Sequence, residues 1–395
     1  MKRSFLLSNA RILLDGRFES CSLRIVGRRI EEIGASLQPT GNDILLPLEG
    51  VCVVPGLINA HDHLELNVFP KLGNPPYNNY VEWGNDIHAR HREQIRQILK
   101  VPLRLRLFWG AYKNILSGVT TVVHHNPYFA HFRFGFPVEV YRNYSWAHSL
   151  AFDPKLPKKL GTVGRRTFVV HLAEGVDSLA RDELVKFQAL GGLRDNTVMV
   201  HGVGLSAKDC LAIAEAGAGL VWCPGSNMFL FNQTAPIESM PANLPIALGT
   251  DSTLTGPASL FDELREAQKL KKLGGDRLLA MVTSVPAGMF RMSSGEIVQG
   301  APADLLLFSQ RSSDPFRDFL SLDGSRVKLL FKSGIPIYGD ESVMTLSSPG
   351  KRFDWIFVGG ERKLITGPFR QTAGRIKAIL PTFDFNGLPL ELGEN

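Results

Sequence analysis

No run of about 18 apolar residues occurs in this 395-residue chain, so no helix is expected to span a membrane. Cysteine is scarce: Cys21, Cys52, Cys210 and Cys223 are widely separated and show no CxxC spacing. That argues against a disulfide framework and for a reducing compartment. Neither sign of charge dominates, with 44 Lys and Arg against 38 Asp and Glu. The basic residues form only short clusters, such as Lys158-Lys159 and Arg165-Arg166, without an interleaved aromatic motif. They read as solvated surface, and no nucleic-acid partner is expected. There is no internal repeat or low-complexity tract. The first apolar stretch, in MKRSFLLSNARILLDG, is short and broken by Ser8, Asn9 and Arg11, so it reads as a strand rather than a signal peptide. These absences leave a soluble, cytoplasmic protein with no membrane partner as the expectation.

What is present is ample core: 44% hydrophobic residues against 21% charged. Residues 1–55 read as short alternating strands punctuated by Gly and Asp. From Gly56 to about Ser294, short β-branched runs alternate with helical stretches, which marks βα units and a parallel sheet. GLINAHDH, GVTTVVHH, TFVVHLAE, TVMVHGVGLS, AGLVWCPGSN and IALGTDS count as strands, and VEVYRNYSWAHSLAF is a weaker candidate. About seven strands are close enough to eight to predict a (β/α)8 TIM-like barrel. The text then returns to short strands, so residues 1–55 and 295–395 are expected to pair into one small β-sandwich domain around a barrel at 56–294.

Six residues carry most of the chemistry. His61 and His63 stand at i and i+2, which on a strand places both imidazoles on one face. His171 ends TFVV and would supply a third nitrogen. Glu174, three residues on, could manage the proton of an activated water, although a carboxylate at a helix N-terminus is the alternative. His201 ends TVMV and reads as a ligand, an electrophile or a histidine that positions others. Asp251 follows IALGT, where burial of a carboxylate is costly unless it is paired or bound to a cation. All six follow apolar runs, where a parallel barrel opens its strand ends to a shared pocket. Imidazoles and a carboxylate converging there suit a divalent ion that activates water.

The ordered motifs VVPGLINAHDH, GVTTVVHH, VVHLAEG, VHGVGLS, WCPGSN, ALGTDS and IVQGAPADLLLF resemble the amidohydrolase superfamily. They are most similar to its aminohydrolase and chlorohydrolase branch, which includes S-adenosylhomocysteine, guanine and cytosine deaminases and triazine hydrolases. The resemblance covers roughly residues 1–340. It implies His61, His63, His171 and Asp251 as ligands of one divalent ion, zinc before iron or manganese. It further implies Glu174 as proton shuttle, His201 as the residue that orients or polarises the attacked centre, and Asp251 as an aid to water activation. Ser226 and Asn227 match a substrate-positioning element, and His125, at a strand end, is a candidate substrate contact. The stretch VEVYRNYSWAHSL lacks the lysine that bridges two metals in relatives, which favours one ion. The HxE and PCxxC signature of nucleic-acid deaminases is also absent.

The resulting expectation is hydrolytic deamination of an aminated heterocycle, a small-molecule substrate, with a possible homo-oligomer. Hydrolysis of an amide or carbon–halogen bond by the same site is the alternative. A non-catalytic metal- or ligand-binding barrel, the reading from another class, leaves Glu174 unexplained. Specificity is expected to lie in the loops Leu64–Asn85 and Asn126–Arg142. Glu82 and Trp83 are expected to serve packing and surface, with His88 and His91 on the same helix face. The aromatic passage from Tyr128 to Trp146 reads as core packing or a lid before it reads as a ring-stacking surface. The tail after Asp340 is expected to add β structure or an oligomer contact.

Overall fold

The computed structural model describes residues 3–271, 273–347 and 353–393. Five strands open the chain: β1 (Ser4–Leu14), β2 (Arg17–Val26), β3 (Arg29–Gly34), β4 (Asp43–Pro47) and β5 (Val51–Pro55). The central part supplies β6 (Leu57–Asp62), β7 (Val119–His124), β8 (Glu139–Val140), β9 (Tyr144–Ala147), β10 (Thr167–Leu172), β11 (Thr197–His201), β12 (Gly219–Trp222) and β13 (Ile246–Leu248). Six more close it: β14 (Leu305–Ser309), β15 (Val327–Lys332), β16 (Ile335–Asp340), β17 (Asp354–Val358), β18 (Glu361–Ile365) and β19 (Leu390–Glu391).

The central strands are parallel and, except between β8 and β9, helical segments separate them along the chain. Every residue of β6, β7, β10, β11, β12 and β13 is buried. That is the signature of strands covered on both faces, and it explains why they read as continuous apolar runs rather than alternating ones. Hydrogen bonds order them β13-β12-β11-β10-β9 in one sheet and β6-β7-β8 in another. The edges β13 and β6 are joined just beyond their ends, where Asp251 N–H donates to the His61 carbonyl at 3.1 Å and His63 N–H to the Asp251 carbonyl at 3.2 Å. The weak candidate VEVYRNYSWAHSLAF holds both β8 and β9. Polar Arg142 and Asn143 fall in its middle, so the first half pairs with β7 and the second with β10. One expected strand is therefore two short ones, and the ladder passes from sheet to sheet there.

The two chain ends do pair. β5 lies antiparallel to β14, Pro55 opposite Leu305 and Val51 opposite Ser309, inside one eleven-stranded sheet that runs from β3 to β19. Its apolar side chains, Phe5, Leu7, Ile12, Leu23, Leu307 and Phe331 among them, form a core of their own. The stretch REQIRQILKVPLRLRLFWGAYKNIL forms two helices, Arg92–Ile98 and Leu103–Leu116, separated at Pro102. Proline there lacks the N–H a continuing helix needs and excludes helical backbone before it. The chain after Asp340 adds β17, β18, β19 and a helix, Phe369–Ile379, whose Phe369 meets Trp109 and Tyr112 of helix 103–116. Asn386 then accepts from Trp109 Nε1 and donates to the Phe69 carbonyl at 2.8 Å. The tail so anchors a loop that leads to the site.

Candidate active site

His61, His63, His171, Glu174, His201 and Asp251 come together at the ends of β6, β10, β11 and β13. Donor atoms of His61, His63 and Asp251 lie within 4.8 Å of one another, as do those of His61, His171 and His201. The chain takes sharp corners to bring them there. His201 has φ 77° and Asp251 φ 57°, with Ala173, just before Glu174, at φ 54°. Left-handed backbone at non-glycine residues costs on the order of 1–3 kcal/mol each, and the surrounding packing holds it. Gly249 lies against His61 so closely that an added Cβ would stand 2.6 Å from the His61 Cβ. At Gly175 it would stand 2.6 Å from the Asn78 carbonyl oxygen. That contact ties the start of helix Tyr80–Arg90 to the residue after Glu174.

Hydrogen bonds fix which nitrogens are free. His171 Nδ1 lies 2.8 Å from the His148 carbonyl, which can only accept, so Nδ1 carries the hydrogen and Nε2 presents a lone pair. That Nε2 faces His61 Nε2 at 3.2 Å. Burial drives the His61 pKa down to about 3 and that of His171 well below its usual value. Neither ring readily holds a second proton, and these nitrogens are ones that would hold a cation. Asp251 Oδ1 completes the cluster, 3.6 Å from His61 Nε2 and 3.4 Å from His63 Nε2. Burial works to raise the Asp251 carboxyl, but the His61, His63 and His201 imidazoles around it hold it well below the usual carboxylate range. Three imidazoles and a carboxylate are a donor set that suits a divalent ion.

Glu174 differs in kind. Burial, with the Asp251 and Glu183 carboxylates adding to it, pushes its pKa well above the usual value. Its Oε1 lies 3.6 Å from His201 Nε2. His201 Nδ1 meets Asn227 Oδ1 at 2.9 Å, which leaves Nε2 as an acceptor toward Glu174. Ser226 Oγ donates to Asp251 Oδ2 at 2.9 Å, and Thr255 Oγ1 to the same oxygen at 2.7 Å. Ser226 and Asn227, expected as substrate contacts, are thus buried behind the cluster and hold its members. His125 too is buried, its Nε2 on the Ala147 carbonyl at 3.0 Å. None of the three lines the cavity over the site.

Several residues here carry no motif. Asp62 points away from the cluster and meets buried Lys113 Nζ at 3.2 Å, together with the amides of Asn59, Asn67 and Asn114. Lys113 also donates to Thr250, next to Asp251. Asn126 bridges His63 and Glu65. A cavity of about 520 Å³ opens above the cluster. The loop 64–85 lines it as expected, with Leu66, Phe69 and Tyr80. The loop 126–142 gives it only Asn126. Phe132 and Phe136 of that loop turn instead onto Phe108 and each other, as the core reading of the aromatic passage expected. The same expected segment runs into helix 80–90, whose Trp83 and Asn85 also line the cavity, and His88, Ile95 and Leu99 beyond the segment complete the wall. Trp83 and His88, read as packing and surface, therefore face the cavity. The apolar spacing Tyr80, Trp83, Ile87 along one face of that helix was the available signal.

An amidohydrolase family model matches residues 161–337. A 5-methylthioadenosine/S-adenosylhomocysteine deaminase from Haloquadratum walsbyi is 36% identical over 142 residues, 33% of this chain and 32% of that protein. The chain spans about a third of the length of the first curated relatives it matches. The deaminase of the same name from Pyrococcus furiosus is similar over more of its length, 24% identical across 86% of this chain and 90% of its own. An 8-oxoguanine deaminase from Pseudomonas aeruginosa is 30% identical over 189 residues, 45% of this chain and 38% of its own. Among solved structures, a zinc-bound adenosine deaminase from Xanthomonas campestris superposes with a TM-score of 0.74 at 16% identity, over 96% of this chain and 98% of that one. A zinc complex of atrazine chlorohydrolase from Arthrobacter aurescens gives 0.75 at 15%, over 95% and 100%. Residues 161–337 thus match an amidohydrolase-family domain.

Proposed function

We propose that this amidohydrolase-family protein is a metal-dependent hydrolase that deaminates an aminated heterocycle with one divalent ion, zinc before iron or manganese. Its fold is read as that of the zinc-bound relatives: a TIM-like barrel at 56–294, and a β-sandwich of 1–55 with 295–395. Four free, buried cysteines support a reducing, cytoplasmic setting.

One observation carries the reading. Donor atoms of His61, His63 and Asp251, and of His61, His171 and His201, lie within 4.8 Å of one another, and Glu174 lines the same cavity floor. A carboxylate among the nitrogens can serve as base and a second carboxyl beside it as acid. His61, His63, His171 and Asp251 would hold the ion. When bound it supplies a Lewis acid that lowers the pKa of water toward neutrality. Asp251 accepts the proton that the attacking water gives up, while Ser226 and Thr255 orient its other oxygen. Glu174 delivers its proton to the amino nitrogen as the carbon–nitrogen bond breaks, and ammonia leaves. The proton on Asp251 then restores Glu174. His201, with Nδ1 fixed on Asn227, holds the Glu174 carboxyl from Nε2.

The named relatives favour an amine on a purine-like ring: their names give 5-methylthioadenosine, S-adenosylhomocysteine and 8-oxoguanine as what those proteins act on. The test is ammonia release by zinc-loaded protein from aminated purines, pyrimidines, pterins and triazines. Glu174→Gln should lower the rate by about 10²–10⁴-fold with the metal retained. Release that persists in the variant would remove Glu174 from the mechanism, and chloride or amine release from an acyclic amide instead would contradict deamination.

A further inference from the structure

We propose that the substrate is an uncharged amino-heterocycle with an apolar substituent (alkyl, aryl or alkylthio), and that the site discriminates against the same ring bearing a carboxylate, phosphate or zwitterionic tail. The inference rests on the deaminase reading and goes beyond it by specifying what flanks the ring.

The cavity of about 520 Å³ is of the size that holds a drug-like ligand, so it has room for more than a ring. Its floor is polar: His63, His171, Glu174, His201 and Asp251. Above the floor the wall is Leu66, Phe69, Tyr80, Trp83, Ile95 and Phe152. The two aromatics with polar atoms have them engaged inside the protein. Tyr80 donates its hydroxyl to Glu183 at 2.8 Å, and Trp83 Nε1 donates to the Leu72 carbonyl at 3.0 Å. Both therefore turn only ring carbon toward a ligand. No lysine or arginine lines the cavity among the described residues. Arg106 is held by the Val101 and Glu65 carbonyls, and Lys71 lies over the Phe229 ring. Of the other polar side chains in the lining, Asn85 and His88 stand exposed at the mouth, while Asn126, His148, Ser252 and Thr255 lie low, beside the cluster.

An anionic tail would leave water for a largely apolar wall with no lysine or arginine among the described residues, and buried unpaired charge is strongly disfavoured. An apolar tail gains about 25 cal/mol for each Å² it buries on the same wall. The difference follows from what the wall lacks.

The experiment is calorimetric titration of zinc-loaded Glu174→Gln protein with matched pairs of aminopurines and aminotriazines. One member of each pair ends in butyl or butylthio and the other in the corresponding carboxylate. The expected result is at least tenfold tighter binding of the uncharged member of each pair, with the gap narrowed by Leu99→Lys, a change at an exposed mouth position. Equal or tighter binding of the carboxylates overturns the proposal, and so does failure of both members to bind. Ammonia release from the unsubstituted rings by wild-type protein judges the deaminase reading separately. Release there with no preference for apolar tails would leave that reading intact and remove this one.

Discussion

The two faces of one short segment, His61-Asp62-His63, solve opposite problems. On one face two imidazoles meet an ionised aspartate and two further histidines, and burial keeps His61 from holding a second proton. On the other, Asp62 meets a lysine that is 1% exposed and three asparagine amides. The first face leaves lone pairs available to a cation from outside. The second supplies its own cation and satisfies its carboxylate completely. A buried ion pair is weak evidence for stability, because desolvation offsets its attraction. What this pair contributes is position. Lys113 joins Asp62 to Thr250, the neighbours in sequence of both histidines and of Asp251. The polar network behind the strand thus sets the register of the ligands in front of it.

Breaking the rear face should have the largest effect on the fold. Lys113→Met leaves Asp62 buried without its cation and should cost about 3–5 kcal/mol, read as a lower urea midpoint. The double variant Lys113→Met with Asp62→Leu should recover much of that stability while binding zinc more weakly than wild type. Full recovery of zinc affinity in the double variant would show that the rear face does not position the front. A smaller disturbance comes from Asn126, which bridges His63 and Glu65. Asn126→Ala should weaken zinc by about 10–100-fold in competition with a chelator, with the fold unchanged.

The last effect is one of pH and concerns another buried carboxyl. Glu263 accepts from Gly225 N–H at 2.9 Å, behind Ser226, and burial raises its pKa to about 8. An acid whose pKa is raised on folding binds more protons folded than unfolded, so it lowers stability as pH rises. Between about 4.5 and 8 the slope from one such group reaches about 1.4 kcal/mol per pH unit. Chelator-treated Glu263→Gln should show a flatter decline than wild type over that window in urea midpoints. An unchanged slope would place the proton elsewhere.

The front face was legible in the sequence and the rear was not, for a physical reason. His61, His63, His171, His201 and Asp251 each end a β-branched run, and a parallel strand delivers its last residue to the pocket. Asp62 is satisfied by Asn114, 52 residues away. Lys113, in RLRLFWGAYKNIL, looks like the charged stripe of an exposed helix. Nothing local marks a lysine whose partner lies on another strand. The same limit applies to the cavity wall. The segment from β6 to Asn85 was legible because it follows the motif, whereas His88, Ile95 and Leu99 belong to helices whose orientation only packing decides. The β8–β9 interruption was foreshadowed by the weakness of its apolar pattern, and the pairing of β5 with β14 by the return of short strands after Gly295.

The central claim is that the front face holds one divalent ion through His61, His63, His171 and Asp251. It is tested most directly by counting metal per chain, by plasma mass spectrometry, in wild type, Glu174→Gln and the double variant His61→Ala with His171→Ala. The account predicts one ion per chain in the first two and background in the third. Two ions in wild type, or an ion retained in the double variant, would contradict it.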